Sequence, residues 1–490
     1  MCRITFSILI ILLTGCTNKP PSAKSPAATD VLSGEYWKKQ ALEEIMPYWT
    51  KYSQDTISGA FYTNLDSLWK PFGSEDKYPS MISRHLFSYS AAYLLSGNEN
   101  DLIIADSTVR WLLDHAWDKE YGGWFDALDK EGNPVQTTKS TFVQVYTITG
   151  LVMYYVVTHD STVLNYIEKS NDILEMKVWD TKAGGYYNVM NRDWSINDSN
   201  KSFSSEITPV SGYLIYLYLA TREKEYLDQI DRILGITTKN MIDDKTGWIL
   251  EDFDPVWKYI PGKSAETEIN IGHNIEGAWM LFRTFLLTGN KNLFKSGKLL
   301  SDKIVQSGVF NKHNIWLSTT GKAKGSLQGT GTYWWIQAYG NMFSLYQYHI
   351  TKNHRFMDDF VKGATLWDNS FMDRKHGDTF FSTDSAGKAI DATKATRFKA
   401  SYHNMEQCFL NYLCLNLWVN KEPAELHFKI HSSNDGEVLY PVMIEDKSIK
   451  ISTVTGNNQD QITFKTIDQG ILLPKLKACP LTVILTKRND

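Results

Sequence analysis

The sequence predicts an all-α (α/α)6 toroid, a ring of six helical hairpins, followed by a small C-terminal β module. Three observations lead there. A glycine beside aromatic residues recurs along the chain at a spacing of roughly 60 to 70 residues. Pairs of segments with apolar residues three and four apart lie between these copies. After Pro423 the apolar period changes from helical to two.

The copies run Gly59-Ala60-Phe61-Tyr62, Gly122-Gly123-Trp124-Phe125, Gly184-Gly185-Tyr186-Tyr187 and Gly247-Trp248. A degenerate copy is Asn314-Ile315-Trp316, and the last is Gly377-Asp378-Thr379-Phe380-Phe381. Several follow an acidic turn such as Asp118-Lys119-Glu120-Tyr121 or Asp243-Asp244-Lys245-Thr246. The helical segments include 141–157, 210–220, 275–287 and 333–349. One hairpin cannot bury its own apolar face, so copies must stack. Six copies can close a ring over about 34–424; an open superhelix satisfies the same pattern. In 425–490, Glu425-Leu426-His427-Phe428-Lys429-Ile430 and Lys450-Ile451-Ser452-Thr453-Val454 alternate between Gly, Asn and Asp turns, which predicts a small antiparallel module.

The N-terminus reads differently. Arg3 precedes an apolar run, 4–15, that is too short to span a bilayer and reads as an export signal. Leu13-Thr14-Gly15-Cys16 looks like a bacterial lipoprotein processing site. That likeness makes 1–16 a signal segment, Cys16 a lipidated residue and 17–33, rich in Pro, Ser, Ala and Lys, a tether to a membrane surface. Cys408, Cys414 and Cys479 lack metal-type spacing and read as buried thiols. A net charge of -4 gives no electrostatic case for nucleic acid. The 13% aromatic content suits either a sugar-binding surface or a large helical core.

Five groups could carry chemistry. Gly272-His273-Asn274-Ile275-Glu276 puts His273 and Glu276 on one helix face. Tyr402-His403-Asn404 opens the last inner helix, and Arg84 falls in the first repeat. Glu251-Asp252-Phe253-Asp254 follows a hairpin turn, and Trp334-Trp335-Ile336-Gln337-Ala338 lies between the two histidine segments. Each alone has an ordinary structural explanation.

In this order the motifs resemble the N-acylglucosamine 2-epimerase and cellobiose 2-epimerase family over about 30–420. Its pattern is an early Arg, Gly-His-x-x-Glu, Trp-Trp-x-Gln-Ala and a late Tyr-His-Asn. The resemblance implies His273 and His403 as an acid/base pair, Glu276 as the group that orients or charges His273, and Arg84 as a cation near the sugar oxygens. It implies Trp334, Trp335 and Tyr402 as walls; Glu251 and Asp254, from the hairpin-turn group, are further substrate-binding candidates. An imidazole exchanges protons near neutral pH, which suits inversion at a carbon beside a carbonyl. Such chemistry requires no metal, nucleotide or flavin. Two departures stand out. The family's third-repeat His-x-His aligns with Ser205-Glu206-Ile207-Thr208-Pro209, where Glu206 is the remaining acid/base candidate. Tyr339-Gly340 follows Gln337-Ala338 where the family usually has Glu. A sugar 2-epimerase is the leading expectation. An aldose–ketose isomerase, a glycoside hydrolase or lyase using Glu206, Glu251, Asp252 or Asp254, and a non-catalytic glycan-binding lipoprotein are the alternatives.

Overall fold

The computed structural model describes residues 29–261, 268–321, 331–456 and 465–488. The expected signal segment and tether, with Cys16, lie outside them, apart from 29–33.

Six long inner helices follow one another: Pro79–Ser96, Thr141–Thr158, 203–221, Ile271–Thr288, Trp334–Thr351 and Tyr402–Cys414. Each packs on the next, and the sixth packs on the first, so the order closes on itself. Nearly every residue of Pro79–Ser96 and Thr141–Thr158 is buried, as expected for helices enclosed on all sides. Each inner helix carries an outer partner. Five partners follow in sequence: Glu99–Trp111, Ser161–Ile173, Lys224–Ile236, Lys291–Gln306 and His354–Leu366. The sixth partner begins at Gly34–Lys39, so the start of the ring clasps its last helix. Outer helices bury one stripe only, such as Leu102, Ala105 and Val109.

The Gly-aromatic turns are the mortar. In the second repeat Gly123 has φ +74°, and a Cβ there would lie 2.5 Å from the Trp194 ring and 2.9 Å from Gln144 Oε1. Buried ion pairs lock four of these turns: Lys77–Asp55 at 2.7 Å, Lys139–Asp118 at 3.0 Å, Lys201–Asp180 at 2.9 Å and Lys394–Asp373 at 2.8 Å. Indole N–H groups then hook neighbouring repeats. Trp194 donates to the Tyr121 carbonyl at 2.9 Å and Trp257 to that of Ala183 at 3.0 Å. Trp69 donates to the His376 carbonyl at 2.7 Å, joining the first repeat to the sixth.

The strands after the helices form two three-stranded sheets. One orders Ala424–Ser432, Leu476–Lys487 and Ile449–Gly456; the other orders Glu437–Leu439, Gly470–Leu473 and Lys465–Ile467. Ala424–Ser432 buries alternate residues and packs on the first two inner helices. From the same region Glu445 pairs with the fully buried Arg283 at 2.6 Å and accepts from Tyr346 Oη at 2.7 Å.

Candidate active site

Inner-helix register decides which side chains meet. In five repeats a side chain near the helix start binds the preceding Gly-aromatic turn, in four of them through its backbone. Gln144 accepts from Trp124 N at 2.8 Å and donates to Trp124 O at 2.6 Å. Asn274 brackets Ile249 in the same way, at 2.8 and 3.2 Å. Glu206 accepts from Tyr186 N at 2.8 Å, and Gln337 donates to Trp316 O at 3.1 Å. Asn404 donates to Thr379 Oγ1 at 3.0 Å, and in the first repeat His85 stacks on Phe61. The residue just before each clamp is therefore equivalent around the ring: Arg84, Val143, Ser205, His273, Ile336 and His403. The three candidate charged groups, Arg84, His273 and His403, all occupy this one position.

They converge on a cavity of about 390 Å³ at the N-terminal ends of the inner helices. Arg84, His273, Glu276, Trp334, Trp335 and His403 line it. So do Phe142, Tyr146, Ser204, Thr208, Tyr333, Tyr339, Phe381 and Phe398, which were not among the sequence candidates. The signal for several of them is periodic, since Tyr146, Thr208, Glu276 and Tyr339 each follow a clamp by two residues.

The two imidazoles have opposite environments. His273 Nδ1 lies 2.6 Å from Glu251 Oε1, and its ring stacks on Phe203 with centroids 4.2 Å apart. Burial works against the charged form, but the Glu251 hydrogen bond and the charges of Glu251, Glu276 and Asp252 outweigh it and raise the pKa. His403 has no carboxylate partner among the described residues. Burial and then Arg84 hold its pKa well below the usual imidazole value, and Nδ1 is buried without a partner. Between them the fifth helix supplies Trp335, 5.6 Å from the His273 ring and 6.3 Å from the His403 ring. Arg84 donates to the Phe398 carbonyl at 3.2 Å and lies 3.8 Å from the Tyr146 ring centroid. Its Nε has no protein partner. Glu276 accepts from Ser211 Oγ at 2.6 Å, and burial raises its pKa against the pull of His273, Ser211 and Arg84.

Sequence assignments change at five residues. Glu276 acts on His273 through its charge alone, whereas Glu251 holds the ring by hydrogen bond and lies outside the cavity wall. Asp254 is also off the wall. Its carboxylate caps its own turn by accepting from Val256 N at 3.0 Å and Lys258 N at 2.8 Å. Asp66 and Asp384 do the same in other repeats, so Asp254 is a turn residue. Tyr402 is fully buried, packed edge-on to Phe87 and beside His403, and forms no part of the wall. Glu206 is a clamp, the counterpart of Gln144, and faces the turn instead of the cavity. The third inner helix offers the wall Ser204 and Thr208, the Thr208 hydroxyl donating to the Ser204 carbonyl. Among the described residues Glu276 is the carboxylate that lines the cavity.

A helical ring with two imidazoles, an arginine and indole faces around one central cavity suits a carbohydrate-processing enzyme. The chain belongs to the N-acylglucosamine 2-epimerase (GlcNAc 2-epimerase) family, whose sequence profile matches residues 59–407. It is 26% identical to the cellobiose 2-epimerase of Bacteroides fragilis over 405 residues, covering 77% of this chain and 98% of that protein. It is 22% identical to a D-mannose isomerase of Marinomonas mediterranea, over 50% of this chain and 64% of that protein. The solved cellobiose 2-epimerase of Spirochaeta thermophila superposes with a TM-score of 0.72 at 21% identity, covering 81% of this chain and 99% of that one. The chain is thus an isomerase or epimerase of carbohydrates with the helical fold of those enzymes.

Proposed function

We propose that the enzyme inverts C2 of a reducing mono- or disaccharide through an enediolate, using the two histidines and no cofactor. One observation carries the reading: two imidazoles of opposite protonation preference flank the same indole in one cavity. Neutral His403 is the base that takes the C2 proton. His273, charged beside Glu251, is the acid that returns one from the other side. Arg84, with a free N–H, stabilises the charge that develops on oxygen. Trp334 and Trp335 offer apolar faces to the sugar ring. The test is incubation with a panel of reducing mono- and disaccharides in heavy water. Deuterium should enter C2 of a substrate and its epimer, and His403→Gln should reduce this by about 10²–10⁴-fold. No exchange into any sugar would remove the mechanism.

A second reading is aldose–ketose isomerisation, which shares the enediolate and differs in where the proton returns. The likeness to a D-mannose isomerase supports it, and Ser204 and Thr208 give the wall hydroxyls in place of further imidazoles. The product, epimer or ketose, separates the two.

We also propose that the enzyme is exported and anchored by lipid on Cys16. Incorporation of an alkyne-palmitate label that is lost in Cys16→Ala tests this.

A further inference from the structure

A second cavity, about 520 Å³, lies at the seam between the helical ring and the C-terminal strands. It is built from the opposite ends of the same inner helices. On Thr141–Thr158, Tyr146 lines the central cavity and Tyr155 the second, a rise of roughly 14 Å along the helix axis. The far wall, with Asn434, Glu437 and Tyr440, comes from residues beyond the family match at 59–407.

The lining is ordered. Glu437 Oε1 accepts from Ser433 N at 3.1 Å and Asn434 N at 2.9 Å, and Oε2 lies 3.4 Å from His159 Nδ1. His159 Nε2 in turn lies 3.1 Å from Tyr155 Oη, with the two rings stacked. His159 takes this position with φ +56°, a left-handed conformation that costs a non-glycine residue about 1 kcal/mol or more. Across the cavity Tyr226 lines the space while only 4% exposed, and its hydroxyl has no hydrogen-bond partner among the described residues. Glu168 and Glu223 complete that side and form no ion pairs among the described residues.

We propose that this seam binds a neutral oligosaccharide, separately from the reacting sugar. The half-buried Tyr440 offers ring surface to sugar C–H groups. Carboxylates accept from pairs of sugar hydroxyls, and Asn434 supplies both donor and acceptor. Among the described residues no Lys or Arg is in the lining, and Arg222, 5.5 Å from the Tyr440 ring centroid, donates to Gln469 at 3.2 Å, so three carboxylates disfavour anionic ligands. No three His, Cys, Asp or Glu groups among the described residues converge to hold a metal ion, so the carboxylates are spread along a wall. The volume falls in the range of small-molecule sites.

The test uses methyl β-cellobioside, methyl β-lactoside and methyl α-maltoside, whose blocked anomeric carbons cannot open to the carbonyl that central chemistry needs. Binding to the full chain is measured by calorimetry for wild type, Trp335→Ala, Tyr226→Phe and Glu223→Gln. Support is binding of at least one glycoside that survives Trp335→Ala and weakens at least fivefold in Tyr226→Phe or Glu223→Gln, while exchange into a reducing sugar changes less than twofold in those two seam variants. Tyr226→Phe keeps the ring and Glu223 is exposed, so neither should disturb folding. Absence of binding, binding that disappears with Trp335→Ala, or a seam that takes spermidine and no glycoside would each overturn the proposal. None of these outcomes depends on the assignment of epimerase over isomerase.

Discussion

Glu206→Gln separates a clamp from a catalyst. The carboxyl is fully buried, accepts one hydrogen bond from Tyr186 N and one from Ser205 Oγ, and leaves Oε2 buried without a partner. Burial outweighs these bonds and the charge of Lys201, and pushes the pKa from an ordinary 4.5 to about 8. The folded chain therefore keeps a proton that the unfolded chain releases once pH passes 4.5. The sign is the reverse of a salt-bridged carboxylate: stability falls as pH rises from about 4.5 to about 8, then levels off. By pH 7 the loss amounts to about 3 kcal/mol, from about 1.36 kcal/mol per pH unit. A glutamine has no proton to release, and its amide can bracket Tyr186 as Gln144 brackets Trp124. Wild type and variant should match in thermal stability near pH 4.5, and the variant should lead increasingly up to pH 8. The difference between their calorimetric profiles isolates this one group. Exchange activity should stay within twofold. Parallel stability profiles, or activity reduced 100-fold or more, would refute the clamp and restore Glu206 as an acid/base group.

Glu251→Gln removes the hydrogen bond and charge that raise the His273 pKa, so the imidazolium is lost at lower pH and the alkaline limb of kcat/KM should move down; a rate profile from pH 5 to 9 measures it. Asp254→Ala should leave the sugar KM within twofold while costing about 1 kcal/mol of stability through the lost turn bonds. Glu445→Leu strands the buried Arg283 guanidinium and should cost about 3–5 kcal/mol in denaturant unfolding, most of it recovered in the Arg283→Leu, Glu445→Leu double variant.

The helical hairpins and the change to strands near residue 424 are legible because each leaves a local period in the chain. The ring's closure is not local. It rests on contacts such as Trp69 with the His376 carbonyl, 307 residues apart, and on the first helix packing against the last. The site divides in the same way. Arg84, His273, His403 and the Trp334-Trp335 pair stand in recognisable motifs, whereas Phe142, Phe381 and Phe398 enter the wall only because neighbouring repeats bring them there.

Register explains both the failures and the departures. Read motif by motif, Glu276 is the natural partner of His273, since they share a helix face three residues apart. Backbone geometry instead brings Glu251 from the preceding turn, 22 residues earlier, onto Nδ1. Read by clamp position, Glu206 aligns with Gln144, Asn274, Gln337 and Asn404, and its loss as a candidate acid follows from the repeat itself. The same alignment puts Tyr339 level with Glu276 and Tyr146, so the tyrosine after Gln337-Ala338 occupies a wall position in its own right. It packs edge-on to His403 at 5.1 Å and to Trp335 at 5.9 Å. An uncharged ring there adds no negative charge beside His403, whose pKa burial and Arg84 hold down, while Glu251 raises that of His273 from the far side of Trp335.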